Sequence, residues 1–265
     1  LTTGFMLVNG IMIPISAWLT SRVNSKTLYE SAMTIFLLGT IACYIAPSFQ
    51  VLLIGRLIQA LGVGVTMPLL QTLMLSIFPA QSRGTAMGLA GLVIGVAPAI
   101  GPTLSGWVID TYQWRVLFGM LIPIVIIVII AGFWFMKNVL PTKKSSLDWL
   151  SAALSTIGFG SLLYGFSEVG TEGWGSTIVI ASLIIGVVFI LLFGWRQLTL
   201  DNPFLELRVL KNPEFSVSAL LSSVSNMAMV GVEMVLPLYL QIVRGDSALE
   251  SGLTLLAGDL MMGVM

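Results

Sequence analysis

The sequence predicts an all-α polytopic membrane protein, and three observations support this fold class. Of its 265 residues, 57% are hydrophobic and only 9% are charged, whereas a soluble domain carries about 25% charged residues. The mean hydropathy is +1.00. Apolar runs of about 20 residues, the length that crosses a bilayer as a helix, follow one another along the chain. Open sheets would leave backbone groups unpaired in lipid, so the runs are predicted to be helices.

Eight hydrophobic runs are predicted to span the bilayer, and a ninth begins near residue 248. The runs lie at 1–20, 28–47, 50–77, 84–108, 115–136, 147–167, 176–196 and 214–243. Short connectors rich in turn-forming or charged residues separate them, and the acidic, glycine-rich stretch 167–176 is predicted to be a flexible outer loop. The chain begins and ends inside hydrophobic runs without a cleavable signal, so we expect a fragment of a longer protein.

Composition excludes several classes of function. The net charge is zero, which argues against a nucleic-acid partner. There is no histidine and Cys43 is the only cysteine, so the sequence predicts no disulfide within the chain and no His/Cys metal site. No GxxxxGK[ST] phosphate loop occurs. We therefore expect no enzyme activity and no cofactor, and for a pump we expect ion exchange as the energy source.

The positions of lysine and arginine predict the orientation in the membrane. Cytoplasmic loops carry an excess of these residues. Nine of the twelve fall in the loops after the first, third, fifth and seventh helices: Arg22, Lys26, Arg83, Lys137, Lys143, Lys144, Arg196, Arg208 and Lys211. Two, Arg115 and Arg244, fall in the opposite loops, and Arg56 lies within a helix. The first set of loops is therefore predicted to be cytoplasmic.

Arg56 is a charged residue inside the third hydrophobic run. Its guanidinium cannot deprotonate, and burying it unpaired would cost several kcal/mol. It is expected to face a water-filled cavity or a carboxylate, or else to extend to the outer headgroups. Gln59, three residues later, lies on nearly the same helix face.

Glu233 is predicted to lie in the middle of the eighth helix, on a polar stripe. Met229, Asn226 and Ser222 precede it by four, seven and eleven residues and share its face. Desolvation favours the neutral form of a carboxyl, so Glu233 is a candidate proton carrier; the alternative is a buried glutamate that satisfies a neighbouring helix. Asp259, in the ninth run, is a second candidate for the same reason. Weaker candidates for lining a cavity are Asn9 and Gln71.

The fourth run combines glycines and prolines in an unusual pattern. Glycines at 84, 88, 91 and 95 share one helical face, which would let a neighbouring backbone approach closely. Pro98, Gly101, Pro102 and Gly106 follow, and the prolines should bend the helix. This pattern suits a helix that slides or rocks against a neighbour, and equally one that packs statically.

Several segments resemble the major facilitator superfamily. The stretch GLVIGVAPAIGPTLSGWVID is similar to the antiporter signature of its fifth helix, and LLIGRLIQALGVGVTMPL to the arginine motif of its fourth. TYQWRVLFGMLIPI resembles the start of the sixth helix and DNPFLELRVLKNPEF the connector before the ninth. Together they point to the 14-helix drug:proton antiporters of the EmrB/QacA type, and within these to bacterial multidrug and lincomycin exporters.

The resemblance implies a role for each matching segment. The visible helices would be the second to ninth, with the tenth beginning. Residues 1–136 would belong to the N-terminal six-helix bundle, 147–196 would be an extra linking helix pair, and 214–265 would start the C-terminal bundle. Arg56 would be the proton-coupling arginine. The signature residues Gly95, Pro98, Gly101, Pro102 and Gly106 would govern conformational change.

One loop departs from the family pattern. The cytoplasmic loop motif keeps Arg22 and Lys26, but Ala17, Ser21 and Asn24 stand where the pattern has Gly, Asp and Gly. This departure predicts a weaker charge relay in that loop.

The implied function is proton-driven export of small amphipathic or cationic compounds, including antibiotics, by alternating access. The implied location is a bacterial cell membrane, and the partners are the substrate, protons and lipid. A same-fold exporter of a metabolite, amino acid or siderophore would look similar in sequence. A non-transporting scaffold or receptor would not require Arg56 or Glu233 to be ionisable.

Overall fold

The computed structural model describes residues 1–140, 148–201, 203 and 205–264; the side chains at 2, 92, 95, 96, 98, 99, 257 and 259–264 lie outside that description. The described residues form helices and connectors without strands. The helices are α1 (Thr2–Arg22), α2 (Ser25–Tyr44), α3 (Phe49–Ile77), α4 (Arg83–Thr111), α5 (Arg115–Phe135), α6 (Trp149–Glu172), α7 (Thr177–Thr199), α8 (Pro213–Leu238) and α9 (Ala248–Val264). A 3₁₀ turn (Leu207–Lys211) precedes α8, and a π-helical segment (Tyr239–Arg244) follows it.

Each predicted hydrophobic run corresponds to a helix, which confirms the all-α fold class. Within the described residues, seven segments are long and apolar enough to cross a membrane: α1, α2, α3, α5, α6, α7, and α8 taken together with the π-helical segment. The predicted outer loop 167–176 is shorter than expected, because α6 continues to Glu172. Gly173 ends the helix with φ of +79°, a left-handed conformation that favours glycine.

The first compact unit comprises Leu1–Ile77 and Phe118–Arg208. Its helices α2 and α3 approach closely at glycines: a Cβ at Gly39 would lie 2.7 Å from the carbonyl oxygen of Gly55. Missing side-chain bulk lets the two backbones meet in this way. One cluster of buried apolar residues in the unit consists of Leu28, Ala32, Val65 and Leu69.

Helices α6 and α7 form an antiparallel hairpin within the same unit. A Cβ at Gly186 would lie 2.8 Å from the backbone nitrogen of Leu162, so this contact also depends on glycine. At one end of the hairpin, Asp148 forms an ion pair with Arg196 at 2.8 Å. Nε2 of Gln197 donates to Oγ of Ser151 at 2.7 Å beside it.

The second compact unit comprises Phe78–Leu117 and Val209–Met265, and contains α4, α8 and α9. The close approach predicted along the first glycines of α4 is not found: no described atom lies within 4 Å of a Cβ built at Gly84, Gly88 or Gly91. The close contact of α4 lies instead in its C-terminal half, where the partner is α9 and where glycines from both helices meet.

Candidate functional site

Arg56 lies on α3 and faces a cavity in the first unit. The cavity has a volume of about 220 Å³, and Leu1, Phe5, Met6 and Asn9 line it with Arg56.

The guanidinium of Arg56 contacts two aromatic rings. Its Cζ lies 4.9 Å from the ring centroid of Phe118 and 5.9 Å from that of Phe5, within the range of cation–π attraction. Among the described residues no carboxylate forms an ion pair with it. Of the environments expected from the sequence, the structure therefore shows a cavity, with aromatic faces beside the charge.

Gln59 joins Arg56 to the α2–α3 contact. Nη1 of Arg56 donates to Oε1 of Gln59 at 3.3 Å, and Nε2 of Gln59 donates to Oγ1 of Thr40 at 2.8 Å. The Gln59 side chain is only 1% exposed. Gln59 was a candidate for lining a cavity, but it holds Arg56 from within the helix contact and is not among the residues that line the Arg56 cavity.

Arg22 and Lys26 lie at the junction of α1 and α2. Cζ of Arg22 lies 5.4 Å from the ring centroid of Trp18. Nζ of Lys26 donates to the carbonyl oxygen of Phe133 at 2.6 Å, near the end of α5. A cation is favourable at a helix C-terminus because the last carbonyls there lack helical partners. Lys26 of the loop motif therefore contacts the end of α5.

The contact between α4 and α9 is formed by small residues. A Cβ at Gly106 would collide with the carbonyl oxygen of Ala248, and one at Gly252 would lie 2.7 Å from that of Pro102. Two hydrogen bonds reinforce the contact: Oγ1 of Thr103 donates to the carbonyl oxygen of Gly252 at 2.9 Å, and the backbone N–H of Leu249 donates to Oδ2 of Asp110 at 3.1 Å. Two of the predicted signature residues, Pro102 and Gly106, thus make the contact.

Glu233 on α8 faces a cavity beside this contact, which we call the Glu233 cavity. Its volume is about 350 Å³, within the range of small-molecule sites. Oε1 of Glu233 is buried. The cavity is lined by Pro102, Ser105, Gly106 and Ile109 of α4, by Glu233, Pro237 and Gln241, and by Ala248, Ser251, Gly252 and Leu255 of α9.

A second cavity of about 410 Å³ also includes Glu233, and Met229 lines it as well. The other two members of the predicted polar stripe are exposed. Nδ2 of Asn226 donates to the backbone oxygen of Ser222 at 2.8 Å. The structure therefore brings Met229 and Glu233 together at a cavity, while Ser222 and Asn226 bond within their own helix.

The remaining candidates are placed as follows. Gln71 is exposed, and Gly101 has no described atom within 4 Å of a Cβ built on it. The side chains of Asp259, Gly95 and Pro98 lie outside the described residues, as do Lys143 and Lys144.

Three polar residues of the Glu233 cavity, Ser105, Gln241 and Ser251, were not predicted from the sequence. Gln241 lies in the π-helical segment, and its amide in an otherwise apolar stretch was a signal that could have identified it. Ser251 carried no such signal, because serine is common in helices of this kind. The lining combines one carboxylate, one amide and hydroxyls with apolar groups, and the described lining has no cationic side chain. Such a surface can bind a cation or a hydrogen-bond donor.

Comparison with protein families gives a match along the whole chain. The model of the Major Facilitator Superfamily matches residues 1–265. The relatives are bacterial. The "Uncharacterized MFS-type transporter YcnB" of Bacillus subtilis is 50% identical over 265 residues, which is 100% of this chain and 56% of that protein.

Two further relatives have names that state an activity. The "Lincomycin resistance protein LmrB" of Listeria monocytogenes is 41% identical over 100% of this chain and 56% of its own length. The "Multidrug export protein EmrB" of Escherichia coli is 32% identical over 95% of this chain and 49% of its own length. The chain therefore spans about half the length of these relatives.

Proposed function

The chain belongs to the major facilitator superfamily, whose members are transporters of the cell membrane, and from this premise we propose that the complete protein exports amphipathic, often cationic compounds in exchange for protons. The names of two relatives, a lincomycin resistance protein and a multidrug export protein, support drugs as the substrate class. The proton gradient is the energy source in this proposal, and no cofactor takes part.

One observation carries the proposal: Glu233 lines the same cavity as Pro102 and Gly106 of α4. A neutral and an ionised carboxyl have different solvation costs in a membrane protein. Protonation of Glu233 would therefore change the relative free energies of conformations that differ in how α4 meets α9. Outward-facing, Glu233 takes up a proton; inward-facing, it releases the proton as the drug binds.

Arg56 and Asp259 complete the proposed proton-coupling set. Arg56 keeps its charge at every physiological pH, so it supplies a fixed positive charge at its own cavity. Asp259 is the second candidate proton carrier, on the same reasoning from its place in an apolar helix.

Export can be tested in cells that express the complete protein. The cells are loaded with a fluorescent lipophilic cation, and its efflux is followed with and without a protonophore. We expect efflux above that of cells with an empty vector, and its loss when the protonophore is present. Efflux that persists with the protonophore would contradict proton coupling. Efflux equal to the empty vector for lipophilic cations and lincosamides would contradict drug export and favour an exporter of a specific metabolite.

A further inference from the structure

Ser251 carries a buried hydroxyl on α9. Its side chain is 1% exposed, and among the described residues its Oγ has no hydrogen-bond partner. Two other hydroxyls of the unit donate to a carbonyl of the preceding turn: Thr254 to Glu250 at 3.0 Å and Ser223 to Ala219 at 2.8 Å. Buried polar groups in native proteins are nearly always hydrogen-bonded. The free Oγ of Ser251 therefore indicates a missing partner.

The partner has a defined place, because Ser251 lines the Glu233 cavity. Gln241 reaches this cavity from the π-helical segment and Glu233 from α8, so three separate elements each present a polar side chain. Ser105 of α4 also lines the cavity, but its hydroxyl already donates to the carbonyl oxygen of Pro102 at 3.0 Å. Most of the other lining residues are apolar or small. An occupant would thus have an apolar body and a polar group that meets all three.

The polar side chains define the chemistry of that group. An ionised Glu233 favours a cation, and the described lining offers no cationic side chain to an anion. The oxygens of Ser251 and Gln241 accept hydrogen bonds. A protonated amine that keeps an N–H satisfies both requirements. A quaternary ammonium supplies the charge but has no N–H, so it would leave the Ser251 hydroxyl without a donor.

We propose that Ser251, Gln241 and Glu233 form a binding site that selects protonated amines bearing an N–H over quaternary ammonium compounds of the same size. This inference rests on the proposed export function. It adds to it the part of the substrate that the site recognises.

The test compares two probes that differ by one methyl group: a fluorescent dimethylamine and its trimethylammonium counterpart with the same aromatic body. Transport of each at low concentration is measured in everted vesicles that contain the complete protein and an imposed proton gradient. Ser251→Ala should lower transport of the dimethylamine about tenfold, the scale of a hydrogen bond to a charged group. It should change transport of the quaternary probe less than twofold.

Two further variants make the result specific. Gln241→Leu should also lower transport of the dimethylamine more than that of the quaternary probe. Ser223→Ala removes an exposed hydroxyl of α8 outside the cavity lining, so it should change the transport of neither probe. Equal effects of Ser251→Ala on the transport of both probes, or no effect on either, would overturn this inference without contradicting the proposed export function. Failure of the unsubstituted protein to transport either probe would contradict the proposed function as well.

Discussion

Gln59 shows how a single buried amide determines the surroundings of a charge. It accepts a hydrogen bond from Arg56 and donates one to Thr40, and both contacts lie inside the α2–α3 packing. Its removal would take one hydrogen bond from Arg56 and one from Thr40, whose hydroxyl would keep its bond to the carbonyl oxygen of Phe36. A hydrogen bond to a charged group contributes more to stability than one between neutral groups.

Gln59→Leu should therefore destabilise the complete protein by about 1–3 kcal/mol. Thermal unfolding in detergent measures this as a lower Tm. Gln71→Leu is the matched control, because it makes the same change at an exposed glutamine of the same helix. Equal Tm values for the two variants would contradict the role assigned to Gln59.

At the residue scale, the sequence identified the charged residues and missed the small polar ones. Arg56 and Glu233 are visible because a charge in an apolar run needs an explanation. Ser251 is not visible in the sequence in this way, because a helical hydroxyl usually bonds to its own helix. Only the structure shows that this hydroxyl has no such bond among the described residues.

The α4–α9 contact depends on the absence of side chains at two glycines. Gly106→Ala would place a methyl group against the carbonyl oxygen of Ala248, and backbone atoms cannot move aside cheaply. We expect destabilisation of about 1–3 kcal/mol, the usual cost of overpacking. Gly91→Ala is the control: it lies on the same helix with no described atom within 4 Å, so thermal unfolding should show little change. A similar loss of stability in both variants would contradict a close α4–α9 contact at Gly106.

The α6–α7 hairpin carries a pH-dependent ion pair. Hydrogen bonds from Arg196 lower the pKa of Asp148 to about 2, and a bond from Ser151 adds to this against the effect of burial. In the unfolded chain the pKa of aspartate is about 3.9. Because folding lowers the pKa, the stabilisation is present above about pH 4 and is lost as the pH falls toward 2.

Asp148→Asn should then cost about 1–2 kcal/mol at pH 7, a value reduced for partial solvent exposure. Unfolding measured between pH 7 and pH 3 should show the difference from the unsubstituted protein shrinking below about pH 4. Asp201→Asn, at an exposed aspartate, should show no such trend. If the difference in stability between Asp148→Asn and the unsubstituted protein stays constant to pH 3, the stabilising role of the Asp148–Arg196 ion pair is contradicted.

At the element scale, hydrophobic run length predicted each α-helix of the described residues, but it did not predict the 3₁₀ turn, the π-helical segment, the exact helix ends or which helices pack together. The end of α6 depended on the conformation of Gly173, which run length does not reveal. The close approach predicted for the first glycines of α4 is not found at Gly84, Gly88 or Gly91, and the close contact of this helix lies at Gly106. Spacing shows which residues share a face, whereas the partner helix lies more than 130 residues away in the chain.

The orientation of the whole molecule remains a prediction from its charges. Single cysteines can test it in the complete protein, with Cys43 replaced by alanine and any other cysteine removed. An impermeant maleimide applied to intact cells should label Gly175→Cys in the α6–α7 connector and should not label Ser82→Cys before α4. The opposite labelling pattern would show that the orientation is inverted.

Coupling of drug export to protons through Glu233 is the central claim, and one measurement addresses it directly. Everted vesicles containing the complete protein are given a proton gradient, and a pH-sensitive dye follows proton movement when a lipophilic cation is added. We predict drug-dependent proton movement that is lost in Glu233→Gln and retained in Glu214→Gln, an exposed glutamate at the start of the same helix. Proton movement that survives in Glu233→Gln and disappears in Asp259→Asn would contradict the assignment of Glu233 as the carrier.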